Sequence, residues 1–262
     1  MRAETTDDVG VAYRTIGAGD RALVLVHGWM MSGAVFDDLA GALDTTDLKL
    51  VLVDLRGTGD SDRPESGYTL QQYARDVWSV IEHAGLERPV IVGHSMGGQV
   101  AQLVAASRPD AVAGLILLNP VPATGLPLPD DAAALFRSSA ADRAQRAAIL
   151  DMACKQLDAA TRERLVTVAA NVSPTCIVES LTAWVAGGSD AHLAAIRAPT
   201  VVLASDDDFI PLPLVREQVV AKIKGSRLAW IPGPGHYAMA ELPAAVAAII
   251  DAFIAGLAPA AD

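Results

Sequence analysis

The sequence predicts a single α/β domain, built on a mostly parallel sheet that is covered by helices on both faces. Short apolar runs at residues 22–26, 51–53, 90–92 and 115–118 alternate with segments of helical spacing. Uninterrupted apolar runs of this kind are typical of parallel strands that are buried on both sides. The chain has 262 residues and is 52% hydrophobic, which is ample for one large core.

Two further predicted elements, a strand and a helix, are consistent with an α/β domain. Residues 9–14 read as an opening strand ahead of 22–26. Thr69 is a good N-cap for a helix that leads towards the strand at 90–92. The apolar face of that helix is formed by Leu70, Tyr73, Val77 and Ile81.

The alternation of predicted strands and helices stops after the strand at 115–118. Residues 119–129 contain four prolines, and they can continue neither a helix nor a central strand. Residues 130–196 then read as helices without a strand, until Pro199 restarts the sheet. We therefore predict an α/β core of residues 1–121 and 197–262 and a helical cap of residues 122–196 over the carboxyl ends of the strands. Its apolar candidates are Ala134, Leu135, Phe136, Ile149, Met152, Leu157, Ile177, Leu181 and Trp184.

The strongest functional pattern is the pentapeptide GHSMG at residues 93–97. It matches G-x-S-x-G, and it stands between a predicted strand and a segment of helical spacing at 98–106. Glycines on both sides allow a sharp turn, which lifts the Ser95 hydroxyl clear of the sheet. The context predicts that Ser95 is a catalytic nucleophile.

An acid and a histidine follow in the order that such a nucleophile requires. The predicted strand at 199–204 leads into three aspartates at 206–208, and the predicted strand at 227–231 leads to His236. A serine nucleophile needs a histidine base and a carboxylate that orients it. These residues predict a Ser-Asp-His triad with His236 as the base.

Two main-chain N–H groups are candidates for an oxyanion hole. The strand at 22–26 is followed by His27, Gly28 and Trp29, and this loop can offer the N–H of Trp29. The residue after the nucleophile, Met96, supplies the second donor. We expect His27 to support the loop by hydrogen bonding.

These motifs resemble the α/β-hydrolase fold family over nearly the whole chain. Residues 54–62 are similar to its D-x-R-G-x-G-x-S loop. Residues 27–36, 95–98 and 113–118 look like those of bacterial aryl esterases and cofactor-free perhydrolases, the non-haem haloperoxidases. The resemblance implies a serine hydrolase that needs no cofactor.

The acid loop departs from that family's pattern. The family usually has a glycine where Ser205 stands and the catalytic aspartate three residues later, which selects Asp208. Counting back from Pro211 selects Asp207 instead. We give more weight to the strand end and predict Asp208, with Asp206 and Asp207 as solvated loop charges.

A second departure is Asn119, which follows the strand at 115–118. Some relatives place the catalytic acid at this point. An asparagine cannot fill that role, so the acid is expected within residues 206–208.

Charge and composition exclude several classes of partner. The net charge of −11 disfavours nucleic acid and anionic membrane surfaces. The N-terminal residues lack an apolar signal segment, and no apolar run has the length of a membrane helix. With two cysteines, Cys154 and Cys176, and no ligand spacing for a metal, we expect a cytoplasmic protein without metal or cofactor. The oligomeric state stays open.

The predicted activity is hydrolysis of carboxylic esters with small-to-medium, largely apolar groups. Lactone or amide hydrolysis, cleavage of a C–C bond beside a carbonyl, and perhydrolysis are alternatives on the same triad. Haloalkane dehalogenase and epoxide hydrolase chemistry is disfavoured, because both use an aspartate where Ser95 stands. A ligand receptor without catalysis is the alternative from another class.

Overall fold

The computed structural model describes residues 1–257, and it confirms the predicted fold class. The strands are β1 (Arg2–Glu4), β2 (Gly10–Ile16), β3 (Arg21–Val26), β4 (Leu48–Val53), β5 (Val90–His94), β6 (Gly114–Leu118), β7 (Thr200–Ser205) and β8 (Arg227–Ile231). They form one eight-stranded sheet in the order β1-β2-β4-β3-β5-β6-β7-β8.

Most of the sheet is parallel. Among the strands of residues 1–257, only the pairs β1–β2 and β2–β4 are antiparallel, and β3 to β8 run the same way. In the centre, Val24 lies opposite Val51 on one side and Ile91 on the other. The sequence did not predict β1, because it has only three residues and exposed charged side chains at both ends.

Helices cover both faces of the sheet. They are α1 (Asp37–Ala42), α2 (Leu70–His83), α3 (Met96–Ser107), α4 (Asp130–Ser138), α5 (Arg143–Ala153), α6 (Ala159–Ala170), α7 (Pro174–Ala186), α8 (Leu212–Gln218), α9 (Ala238–Glu241) and α10 (Pro243–Ala255). Helix α2 packs against α3, and α1 packs against α10. Successive residues of β3 point to opposite faces, yet Leu23, Val24 and Leu25 are all fully buried. Truncation of such a leucine to alanine typically costs about 2–5 kcal/mol.

Helices α4 to α7 form an insert between β6 and β7. Of the described residues, 119–199 contain no strand. The two ends of the insert touch, because the N–H of Gly188 donates to the carbonyl of Ala123. The predicted core segment also includes residues 258–262, which lie outside the described residues.

Two helices of the insert were compared with the length and apolar composition of a membrane-spanning helix. Among residues 1–257, no single helix is long and apolar enough to cross a bilayer. Helices α6 and α7 reach that length and composition only as a pair, and the pair is bent by 97°.

The parallel strands bring their carboxyl ends to one edge of the sheet. The loops after β3, β5, β6, β7 and β8 all start there. In open α/β sheets this edge is where ligands bind. Residues far apart in the sequence therefore meet at one place.

Candidate active site

Ser95 occupies the sharp turn between β5 and α3. Its backbone has φ 56° and ψ −122°, a conformation that costs a non-glycine residue of order 1–3 kcal/mol. The turn is tightly enclosed, since a Cβ on Gly97 would collide with the carbonyl oxygens of Val26 and His27. A Cβ on Gly93 would collide with the backbone of Gly97. Both glycines of the pentapeptide are thus required by packing.

Two main-chain donors flank this turn. Within residues 1–257, the N–H groups of Trp29 and Met96 have no main-chain or side-chain acceptor. Met96 is the first residue of α3, where N–H groups are left without partners and the helix dipole is positive. The two predicted donors therefore both remain available to a ligand.

His27 fixes the loop that carries Trp29, as the sequence predicted. Its Nδ1 lies 2.8 Å from the carbonyl of Gly28, and its Nε2 accepts from the N–H of Leu55 at 3.1 Å. This pattern makes Nδ1 the protonated nitrogen. Burial lowers the pKa of His27, so the ring stays neutral.

His236 pairs with Asp207, and the predicted partner Asp208 is wrong. His236 Nδ1 lies 2.6 Å from Asp207 Oδ2. The side chain of Asp207 is 1% exposed, whereas that of Asp208 is 85% exposed and forms an ion pair with Lys155 at 3.1 Å. The count back from Pro211 identifies the residue that meets the histidine.

The three neighbouring aspartates point in three directions. Asp206 accepts from the N–H of Gly233 at 2.8 Å, which ties the acid loop to the loop after β8. Asp207 turns inwards, and its Oδ1 accepts from the N–H of Phe209. Burial acts to raise the pKa of Asp207, but His236 and the N–H groups of Phe209 and Ile210 outweigh it and lower this pKa overall.

His94 packs against His236 without competing for Ser95. Its Nε2 lies 2.9 Å from the carbonyl of His236, and the two rings are 4.7 Å apart. Burial first, and then the nearby His236, hold the pKa of His94 well below its usual value. His94 is therefore a neutral support for the histidine loop.

Sequence analysis missed two residues that hydrogen-bond to the acid loop or to the loop before His236. Asn119 donates from Nδ2 to Asp207 Oδ2 at 3.1 Å, although the sequence considered it only as a missing acid. Glu241 is buried, and its Oε2 accepts from the N–H groups of Lys155, Gln156 and Gly235. A glutamate in an otherwise apolar helical turn was the only available signal for the second.

A cavity of about 280 Å³ lies beside Ser95 and His236. Its aromatic walls are Trp29, Phe136, Trp184, Phe209 and Tyr237. Four apolar candidates of the insert line it: Phe136, Ile149, Met152 and Trp184. The Trp29 ring stacks on Phe136 at 5.1 Å, and its indole N–H donates to the carbonyl of Ile177. The cavity has the size and the apolar character for a small organic molecule.

A larger groove lies far from these groups. It measures about 600 Å³ and is lined by Arg21 and Leu48, at the amino ends of β3 and β4. Four aspartates also line it: Asp20, Asp44, Asp47 and Asp251. It is on the opposite edge of the sheet from Ser95, and its lining among residues 1–257 includes no serine, cysteine or histidine, so we do not assign the chemistry to it.

Comparison with known proteins agrees with this architecture. Residues 23–249 match the family described as "Alpha/beta hydrolase family". A non-heme haloperoxidase of Rhodococcus erythropolis is 28% identical over 255 residues, which cover 88% of this chain and 90% of the relative.

Solved structures with the same architecture include two esterases. The esterase of Exiguobacterium antarcticum aligns with a TM-score of 0.90 at 21% identity, over 98% of this chain and 99% of its own. The esterase RhEst1 of Rhodococcus sp. ECU1013 aligns with a TM-score of 0.84 at 25% identity, over 98% of this chain and 99% of its own.

Proposed function

Because the chain belongs to the alpha/beta hydrolase family, we propose that it hydrolyses carboxylic esters through Ser95, His236 and Asp207. One observation carries the proposal. The buried contact of 2.6 Å between His236 Nδ1 and Asp207 leaves Nε2 free in a residue that lines the cavity together with Ser95. A neutral imidazole held in this way is the base that a serine nucleophile needs.

The reaction begins when His236 Nε2 takes the proton of the Ser95 hydroxyl as Oγ attacks the ester carbonyl. The N–H groups of Trp29 and Met96 stabilise the oxyanion of the tetrahedral intermediate. His236 then protonates the leaving alcohol, and an acyl-enzyme remains. Water, deprotonated by the same histidine, releases the acid and restores Ser95.

The resting site is compatible with this sequence of steps. Within residues 1–257, neither Ser95 Oγ nor His236 Nε2 has a hydrogen-bond partner. Catalytic hydrogen bonds are often formed only when substrate is bound, and a serine hydroxyl rotates freely. Substrate that displaces water from the cavity favours the Ser95–His236 contact.

The walls of the cavity favour small-to-medium, largely apolar acyl or alcohol groups. Aromatic side chains dominate them, and Asp208, a carboxylate at the edge, is paired with Lys155. We further propose that residues 122–196 act as the cap of this site. Side chains from α4, α5 and α7 contribute to the cavity walls, which supports that role.

The protein should hydrolyse p-nitrophenyl acetate and p-nitrophenyl butyrate, and a sulfonyl fluoride or phosphonate should abolish this activity. The reagent reacts with an activated serine and is held at the same oxyanion donors. EDTA should leave the rate unchanged, since residues 1–257 contain no group of three or more His, Cys, Asp or Glu placed to hold a metal ion. Activity that is lost in EDTA and restored by a divalent ion would contradict the proposal.

Perhydrolysis is a second candidate, favoured by the similarity to the non-heme haloperoxidase of Rhodococcus erythropolis. Hydrogen peroxide is close to water in size and is the stronger nucleophile, so the same base and oxyanion donors can serve both. In acetate and peroxide at mildly acidic pH we expect slow formation of peracetic acid, measured by halogenation of monochlorodimedone. A wild-type signal no higher than that of Ser95→Ala would exclude this activity and leave the esterase proposal intact.

A further inference from the structure

Two residues that depart from the family pattern meet at the carboxyl ends of β6 and β7. Asn119 directly follows β6, and Ser205 is the last residue of β7. The strands are parallel neighbours with Leu118 opposite Leu203, and the N–H of Asn119 donates to the carbonyl of Leu203 at 2.9 Å. The sheet itself therefore brings the two side chains together.

The side chains of Asn119 and Ser205 are hydrogen-bonded to each other and to the loops that carry Asp207 and His236. Asn119 Nδ2 donates to Ser205 Oγ at 2.8 Å and to Asp207 Oδ2 at 3.1 Å, which uses both of its hydrogens. Ser205 Oγ in turn donates to the carbonyl of Gly235 at 2.6 Å. Asn119 and Ser205 are 1% and 2% exposed, so water does not compete for these groups.

The orientation of the Asn119 amide follows from its neighbours. Asp207 offers only acceptors, and the hydroxyl hydrogen of Ser205 is already given to Gly235. An amide oxygen in the place of Nδ2 would face a carboxylate without a proton between them. The amide nitrogen is the atom that fits there.

We propose that Asn119 and Ser205 are positioning residues for the triad, an inference that rests on the proposed ester hydrolysis. Asn119 holds the same oxygen of Asp207 that accepts from His236. Ser205 holds the carbonyl of Gly235, the residue before His236. The acid and the base are thereby fixed to each other through the ends of two strands, in addition to their direct contact.

The donated hydrogen bond also has an electrostatic effect. Asn119 satisfies part of the negative charge on Asp207, which reduces the attraction that this carboxylate exerts on a protonated imidazole. Without Asn119, the full charge acts on His236 and favours its protonated form, which cannot act as a base. The acid limb of the pH–kcat/KM profile should therefore move to higher pH.

Several other ionisable groups lie near the pair. They are His94, Cys154, Tyr237, Glu241, Asp206 and the Asp208–Lys155 ion pair. Burial keeps the pKa of His94 well below its usual value and raises the pKa of Cys154 and of Tyr237. These three groups therefore keep their neutral forms where a triad histidine titrates.

The test is the variant Asn119→Leu, which keeps the size of the side chain and removes the donor. With p-nitrophenyl butyrate, kcat should fall about 10-fold to 100-fold, as for other residues that orient a functional group through hydrogen bonds. The acid limb should move up by about one pH unit. Asn171→Leu changes the other asparagine of the chain, an exposed residue, and should change neither quantity.

The background of Asp207→Asn decides whether Asn119 acts through the carboxylate. In that background, Asn119→Leu should lower kcat little further, because the carboxylate charge that Asn119 contacts is already gone. An equal loss in both backgrounds, or an unmoved acid limb with full activity, would overturn the proposal. Asn119 has φ 41°, which a leucine adopts with strain. If Asn119→Leu does not fold, Asn119→Gly takes its place with the same two expectations, because glycine tolerates this φ and also removes the donor.

Failure of the underlying function has a different signature. A wild-type protein without hydrolysis above that of Ser95→Ala would overturn ester hydrolysis, and the positioning role with it. A wild type that is active and depends on Ser95, beside an Asn119→Leu variant with the wild-type pH profile, would overturn the positioning role alone.

Discussion

Replacement of Ser95 by alanine should abolish ester hydrolysis and leave the fold intact. Loss of a triad nucleophile typically lowers kcat by about 10⁴–10⁶, with only oxyanion and binding effects left. The fold should tolerate the change, because Ser95 is held by its backbone: its N–H donates to Leu118 and its carbonyl accepts from Gly98 and Val121. The rate with p-nitrophenyl butyrate measures the loss of hydrolysis, and a thermal unfolding curve measures whether the fold is intact.

A matched control is Ser66→Ala. Ser66 is exposed and lies in the loop before α2, so this variant should keep the wild-type rate. Activity of Ser95→Ala within about tenfold of the wild type would contradict a nucleophilic serine, since even partial catalysis by the remaining groups falls far short of that.

The second large effect distinguishes the roles of two adjacent aspartates, Asp207 and Asp208. Asp207→Asn should lower kcat by about 10³–10⁴, because the amide no longer holds the His236 ring with its proton on Nδ1. Asp208→Asn should change kcat far less, since Asp208 is exposed and contacts Lys155 rather than the histidine. The same chemical change at neighbouring positions makes each variant a control for the other.

The test of this assignment is a comparison of kcat for the two variants, measured at one pH on folded protein. A larger loss for Asp208→Asn than for Asp207→Asn would mean that the loop rearranges in solution and would refute the assignment. Asp206→Asn tests the loop itself, because it weakens only the contact with Gly233.

The sheet and the turn at Ser95 could be predicted from the sequence because their signals are local. Apolar runs such as 22–26 and 90–92 identify buried strands wherever they occur, and a glycine-flanked serine between strand and helix defines its own backbone. The position of His236 after the last strand followed from the same reasoning. Parallel strands then place these ends together without further information.

The choice between Asp207 and Asp208 could not be predicted in this way. Which aspartate turns inwards depends on Gly233 and His236, which follow their partners Asp206 and Asp207 by 27 and 29 residues. The strand end, used as the reference, carries no information about that partner loop. Asn119 is similar, since it lies 88 residues from Asp207. Contacts across such separations are decided by tertiary packing.

Glu241 has a consequence for how the protein moves. Its carboxylate joins the segment after α5 to the loop that bears His236, and the N–H of His236 donates to Ala153 as well. We therefore expect the two segments to open together, because α5 cannot move away from the His236 loop without breaking these hydrogen bonds. Of the nine residues of α4 that the structure describes, Phe136 alone is buried. We therefore expect α4 to exchange its amide hydrogens faster than the junction between α5 and the loop that bears His236.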